Sequence, residues 1–247
     1  MYTDFHTHIL PGIDDGSSSP EESIEMFKEA KNQNVTTIVA TPHFYPLKSS
    51  VENFLVKREW ALDSFQKELA ACGLSEKAPK LLCGAEFYYI KKLSIYPDLE
   101  KLCLEGTSYL LLEMPYSDWH DDIFEEIYLM IKKRGIFPII AHPDRFLHQI
   151  CEHNALEKFA ELDCLLQINI GSLSRILNRK RNLKLLSGAV PYVLGTDMHS
   201  VDSFVQKMPQ IHSVIERNFG KEAFNNVCKI SAAVLENQSP EQIKAML

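Results

Sequence analysis

Hydrophobic and polar positions along this chain follow two periods in turn. Short β-branched or apolar runs at 2–6, 35–40, 81–86, 109–113, 136–141, 165–169 and 192–195 read as seven strands. The stretches between them carry helical spacing. Ser19-Pro20-Glu21-Glu22 has the form of a capping box with proline at the first helical position, which predicts a helix from there to about Gln33. Helices are also predicted over 51–71, stopping at Gly73, and over 121–134, stopping at Gly135. Further helical patterns lie near 153–162, 173–187 and 203–218, and Ser239-Pro240 opens a short last helix.

Strand and helix alternate without a linker, repeat or charge block, which predicts a single α/β domain over 1–247 with a parallel sheet. No glycine-rich nucleotide loop follows the first strand. Closure of the sheet is therefore expected, giving a distorted seven-stranded (β/α)7 relative of the TIM barrel.

Composition narrows the function classes. The 247 residues are 45% hydrophobic and 24% charged, as in a soluble globular protein. With 26 Lys and Arg against 33 Asp and Glu the net charge is −7, so nucleic acid is not an expected partner. The longest apolar runs fall far short of the roughly 20 residues that span a bilayer, so no membrane insertion is expected. No export signal is legible, and six cysteines scattered without a C-x-x-C pair read as reduced thiols. A cytoplasmic location is expected.

The chemistry stands at the strand ends. At or just after the C-terminal end of each strand come His6 and His8, His43, Glu86, Glu113, His142, Asn169, and finally Asp197 with His199. In a β/α barrel this rim builds the active site. Five of the nine histidines fall here, while His120, His148, His153 and His212 lie on helices or loops. In His6-Thr7-His8 the two imidazoles are two residues apart, so an extended segment projects both to one side, and Asp197-Met198-His199 repeats that spacing. Imidazole and carboxylate donors without thiolate suit manganese, iron or zinc. So many donors exceed the needs of one ion, so two or three divalent ions are expected, bridged by Glu86 and Asp197. Asp14 and Asp15, in an Asp-Asp-Gly turn, are candidates for a further ligand or for plain solvated turn residues.

The segments Asp4-Phe5-His6-Thr7-His8-Ile9-Leu10-Pro11-Gly12-Ile13-Asp14-Asp15-Gly16, Thr41-Pro42-His43, Gly84-Ala85-Glu86, Ala141-His142-Pro143-Asp144-Arg145 and Thr196-Asp197-Met198-His199 resemble the PHP (polymerase and histidinol phosphatase) superfamily. More narrowly they are similar to the bacterial PHP-type protein-tyrosine phosphatases of capsule and exopolysaccharide operons. The resemblance implies a distorted seven-stranded barrel and a trinuclear centre, usually of manganese or iron. It also implies hydrolysis of phosphotyrosine on the tail of a polysaccharide-regulating tyrosine kinase. The ligands it implies are His6, His8, Asp15, His43, Glu86, Glu113, His142, Asp197 and His199, with Arg145 binding phosphate. In one departure, the place five residues after the last ligand histidine, often arginine in the family, holds Phe204. A second phosphate-gripping arginine is thus not supplied.

The residues support phosphoester chemistry independently of the resemblance. A phosphate monoester needs its charge neutralised and a water activated, and clustered divalent ions do both. Arg145, three residues after His142, offers a planar fork to two phosphate oxygens. A departing phenol needs little acid help, with Asp15 or His199 as the candidate proton donors. The rival chemistry, a cysteine nucleophile with arginine six residues later, fails at all six cysteines. An amidohydrolase barrel would present lysine and histidine where this chain has Glu113 and Asn169. A histidinol-phosphatase-like small-molecule phosphatase and a non-catalytic PHP scaffold are the alternatives. The basic run from Arg175 to Lys184 reads as a solvated helix face or a surface for an acidic peptide. Phe44, Tyr45, Tyr88 and Tyr89 lie just beyond candidate ligands.

Overall fold

The computed structural model describes residues 2–75, 79–116, 119–174, 182–188, 190–203 and 208–246. Phe204 and the basic residues from Arg175 to Arg181 lie outside them. Among the described residues there are nine strand segments: β1 (Tyr2–Thr7), β2 (Val35–Ala40), β3 (His43–Phe44), β4 (Lys80–Cys83), β5 (Glu86–Tyr88), β6 (Tyr109–Glu113), β7 (Phe137–Ala141), β8 (Leu165–Asn169) and β9 (Tyr192–Gly195). Every ladder is parallel, and the segments form two sheets of order β1-β2-β4 and β3-β5-β6-β7-β8-β9.

The predicted strand over 81–86 is broken in two at Gly84-Ala85, and the predicted strand over 35–40 continues past Thr41-Pro42 as the short β3. Hydrogen bonding crosses both breaks, from the Gly84 amide to the Ala40 carbonyl (2.8 Å) and from the Glu86 amide to the Pro42 carbonyl (3.0 Å). The breaks re-aim the chain as it reaches His43 and Glu86. On the far side, β1 and β9 lie edge to edge: the Asp197 amide donates to the His6 carbonyl (2.8 Å) and the His8 amide to the Met198 carbonyl (3.0 Å). Gly195 permits this approach, because a Cβ there would lie 2.6 Å from Gln167 Nε2 and 2.7 Å from His6 Cβ.

Alternation along the strands divides the apolar residues into two shells, as expected for parallel strands covered on both faces. Phe5, Val39, Leu82, Leu111, Ile139, Leu165 and Val193 form an inner cluster, while Ile38, Leu110, Leu112, Ile140, Leu166 and Leu194 pack with the helices in the larger one.

Three helices match their signals closely. α1 (Pro20–Asn32) is N-capped by Ser19, which accepts from the Glu22 amide; the Glu22 carboxylate turns to the Ser18 amide and hydroxyl, so only half of the capping box forms. α2 (Val51–Ala71) is capped by Ser50, and α3 (Asp121–Arg134) ends at Gly135 with φ 62°. The pattern near 153–162 is the helix Ala155–Glu161, and that near 203–218 is Met208–Phe219, with 204–207 outside the described residues. Over 173–187 the described parts are a helical turn at Ile170–Ser174 and a helical stretch at 182–186. The helix Ala223–Leu235 was not expected: Glu222 supplies no side-chain cap, and neither end carries the usual charge bias. Its Ile230, Ala233 and Val234 cover the inner cluster.

Candidate metal centre

All nine sequence-predicted donor residues meet at the C-terminal end of the strands. Glu86, fully buried, is the hub. Its carboxylate lies 3.2 Å from His6 Nε2, 3.4 Å from His8 Nε2, 2.9 Å from His43 Nδ1 and 2.8 Å from His142 Nε2. Asp197 Oδ1 stands 3.4 Å from His6 Nε2, 3.5 Å from His8 Nε2 and 3.6 Å from His199 Nδ1. Asp15 Oδ1 is 3.5 Å from both His43 Nε2 and His199 Nε2, and Glu113 is 3.9 Å from His142 Nε2.

Local backbone sets these positions. His142 and Asp197 follow β7 and β9 in the left-handed region, at φ 30° and 54°. Such conformations are strained for non-glycine residues and persist only where the surroundings hold them. Gly16 lets the Asp14-Asp15 turn lie flat on the end of β1, since a Cβ there would stand 2.2 Å from the His8 carbonyl oxygen.

Hydrogen bonds behind the cluster set the imidazole tautomers. Gln167 Oε1 accepts from the His142 amide (3.0 Å) and therefore also accepts from His6 Nδ1 (2.9 Å), which leaves the lone pair of His6 on Nε2, facing Glu86. His8 Nδ1 donates to Asp14 Oδ2 (2.7 Å), and His199 Nδ1 donates to the Asp197 carbonyl (3.0 Å). Each ring thus turns Nε2 towards its neighbours in the cluster. Metal-ligating histidines are commonly braced in this way.

Residue type alone left Asp14 and Asp15 as candidates for a ligand or for turn residues, and the resemblance implied Asp15; the two stand in different places. Asp15 is 72% exposed and stands among the donors, whereas Asp14 braces His8 and accepts from the His43 amide at 2.9 Å. Gln167 and Asp4 were missed. Asp4, buried between β1 and β9, accepts from the His6 amide (3.2 Å), the Thr196 amide (2.9 Å) and the Thr196 hydroxyl (2.6 Å). Alternation along the strand was the available signal for Gln167, because a fully buried polar residue on a central strand calls for a partner. Asn169, the one rim residue that is not a ligand type, donates to Asp197 Oδ2 at 3.2 Å. Arg145 pairs with Asp197 and lies near Tyr116 at the lip. His148 is exposed on a helix, and His212 stacks on Phe224 with ring centroids 4.1 Å apart.

The donor set suits cations. Among the described residues three groups have donor atoms all within 4.8 Å of one another: His8, Asp15, His43 and His199; His6, His8 and Glu86; and His43, Glu86 and Glu113. His8, His43 and Glu86 each belong to two of these groups. Glu86 Oε2, Asp197 Oδ1 and His43 Nδ1 are buried in the cluster without a hydrogen-bond partner. Such orphaned lone pairs are costly unless something positive meets them.

The titration behaviour follows from the crowding. Burial opposes charge on both His6 and His8, yet the surrounding carboxylates raise both. Against the same burial penalty, His6, His8 and Arg145 hold Asp197 well below the usual carboxylate range. Glu113 is pushed up to about 7 by burial and by the charge of Glu86. His142 and His199 are lowered, chiefly by burial.

Parallel α/β strands with a mixed imidazole and carboxylate cluster at their C-terminal ends define the class: an α/β scaffold whose strand ends carry the donor set of a metal-binding site. Residues 2–236 match the family described as capsular polysaccharide synthesis, CpsB/CapC, and the chain belongs to that family. It is 29% identical over 247 residues to the tyrosine-protein phosphatase YwqE of Bacillus subtilis, covering 96% of this chain and 92% of that protein. It is 30% identical over 238 residues to the tyrosine-protein phosphatase CpsB of Streptococcus pneumoniae, covering 88% and 90%. Among solved structures it superposes with a TM-score of 0.84 and 28% identity, covering 96% of this chain and 95% of that one. That structure belongs to work on YwqE and CpsB, described as unique metal-dependent tyrosine phosphatases.

Proposed function

We propose that this chain is a metal-dependent protein-tyrosine phosphatase acting on a phosphotyrosyl tail of a bacterial kinase that regulates polysaccharide synthesis. The observation that carries the reading is the convergence of nine imidazole and carboxylate residues beside Arg145, in a member of the CpsB/CapC family. The relatives named above are tyrosine-protein phosphatases rather than small-molecule phosphatases, which favours the protein substrate. Among the described residues no helix is long and apolar enough to cross a membrane, which suits a cytoplasmic role.

The proposed ligands are His6, His8, Asp15, His43, Glu86, Glu113, His142, Asp197 and His199, holding two or three divalent ions, manganese first and iron or zinc as alternatives. When bound, the ions supply charge neutralisation and an acidified water. The chain's own residues do the rest. Arg145 presents its planar guanidinium at the lip to bind two phosphate oxygens. Asp15 and His199, on the outer edge of the cluster, are placed to pass a proton to the departing phenolate, which with a pKa near 10 needs little help. Gln167 and Asp14 fix the imidazoles so that no reorientation accompanies the reaction. The hydrogen bonds between β1 and β9, and those that carry β2 into β3 and β4 into β5, support a reading of the two sheets as one closed seven-stranded barrel in a single domain.

The test is kcat/KM on one metal-replete preparation with a phosphotyrosyl peptide, a phosphoseryl peptide and histidinol phosphate. The phosphotyrosyl peptide is expected to lead. Histidinol phosphate ahead by about tenfold, near 1.4 kcal/mol of transition-state binding, would move the function to the small-molecule alternative.

A further inference from the structure

Tyr116 follows β6 by three residues and sits at the mouth of the cluster. Its side chain is 57% exposed, although large apolar surface is normally buried where packing is its purpose. The ring is held all the same. One side packs against Phe146 with centroids 5.1 Å apart. The hydroxyl donates to Glu113 Oε1 at 3.4 Å and lies near enough to Arg145 to feel its charge. It therefore touches a proposed ligand and neighbours the proposed phosphate clamp. Across the mouth, Tyr45 stacks on His43 with centroids 5.1 Å apart and lies close enough to feel the charge of Glu113, while the Tyr88 ring stands 5.8 Å from Tyr45. Both phenols approach Glu113, one from β3 and one from β6.

We infer that Tyr116 is the specificity-determining residue of this site: its exposed ring, held by Phe146 on one side and by its hydroxyl on Glu113, takes the face of the substrate's phenyl group. This rests on the phosphatase reading. A platform fixed at both ends loses little freedom when a ring settles on it, and aromatic rings pair in offset or edge arrangements beyond their area burial. A seryl or threonyl phosphate brings no ring and gains nothing from the platform. The selection is therefore for flat aryl esters and acts through binding as well as through the leaving group.

The experiment measures the affinity of metal-replete protein for phenylphosphonate and methylphosphonate by calorimetry, alongside hydrolysis of a phosphotyrosyl and a phosphoseryl peptide. Wild type should bind the phenyl compound more tightly. Tyr116→Ala should lower the phenyl-to-methyl affinity ratio by about tenfold or somewhat less, the upper range for an aromatic pair. Tyr116→Phe should keep that ratio, because the ring stays. Metal content should be unchanged in both variants, and the melting temperature unchanged in Tyr116→Phe, which keeps the ring on Phe146. A ratio retained in Tyr116→Ala, or no preference in wild type, would overturn the inference. A Tyr116-dependent phenyl preference in a protein that hydrolyses neither peptide would uphold the slot and sink the phosphatase reading.

Discussion

Gln167 makes no contact with a substrate in this account, so Gln167→Met tests whether the shell behind the cluster controls the metal. Methionine matches the glutamine in length but accepts no strong hydrogen bond. The change leaves the His142 amide and His6 Nδ1 without the acceptor now 3.0 Å and 2.9 Å away, in a fully buried position. Each orphaned donor costs about 1–3 kcal/mol, so the metal-free protein should lose roughly 2–6 kcal/mol in all. His6 can recover part of this by moving its proton to Nε2, but that turns an N–H towards the ions in place of a lone pair. Loss of such outer partners typically weakens metal binding by about 10–100-fold. The assay is a manganese titration against a competing chelator, with thermal unfolding in excess chelator as the second readout. The smaller loss, about 2 kcal/mol, should lower Tm by roughly 4–8 °C in a chain of this size. Manganese affinity within about twofold of wild type, far inside that 10–100-fold expectation, together with an unchanged Tm would refute the bracing role.

The other predictions concern the cluster and its surroundings. Elemental analysis of metal-replete protein should find more than one transition-metal ion per chain, since a single ion would leave several donors orphaned; less than one equivalent would contradict the shared groups. Arg145→Ala should keep the metals and lose about 10²–10³ in rate, with Arg145→Lys rescuing in part, whereas His6→Ala or Glu86→Gln should lose metal as well. Metal loss in Arg145→Ala would show that its pairing with Asp197 serves the centre instead. Alkylation at neutral pH should mark the exposed Cys72 and Cys151 and spare Cys103, whose thiol burial pushes up to about 12, and Cys164, which burial pushes higher still. Mass spectrometry locates the label, and activity should survive; rapid inactivation would reopen a thiol mechanism.

Much of this arrangement was legible in the sequence because local chemistry set it. Val35–Ala40, Tyr109–Glu113, Leu165–Asn169 and Tyr192–Gly195 are short runs rich in apolar or β-branched residues, and each forms a strand with those bounds. Ser19, Ser50 and Gly135 end helices by capping, which depends on adjacent residues alone. The donors were visible because imidazoles and carboxylates at successive strand ends have no common structural purpose. What stayed hidden depends on contacts between distant segments. The brace from Gln167 to His6 spans 161 positions, and the tie from Asp4 to Thr196 spans 192. The break at Gly84-Ala85 lies where Leu104 packs against the backbone, so closely that a Cβ added at Gly84 would stand only 2.7 Å from Leu104 Cδ2. The helix Ala223–Leu235 is held by its packing on the inner cluster and starts without a capping signal.

The central claim is that the His, Asp and Glu cluster hydrolyses phosphotyrosine by means of the metal it holds. The most direct measurement is the rate of phosphate release from a phosphotyrosyl peptide by one preparation, taken as purified, after chelation and dialysis, and after manganese is restored. Chelation should abolish the rate and manganese should restore it in wild type, but not in Glu86→Gln. Full hydrolysis by the chelated protein, or equal recovery in Glu86→Gln, would contradict the claim.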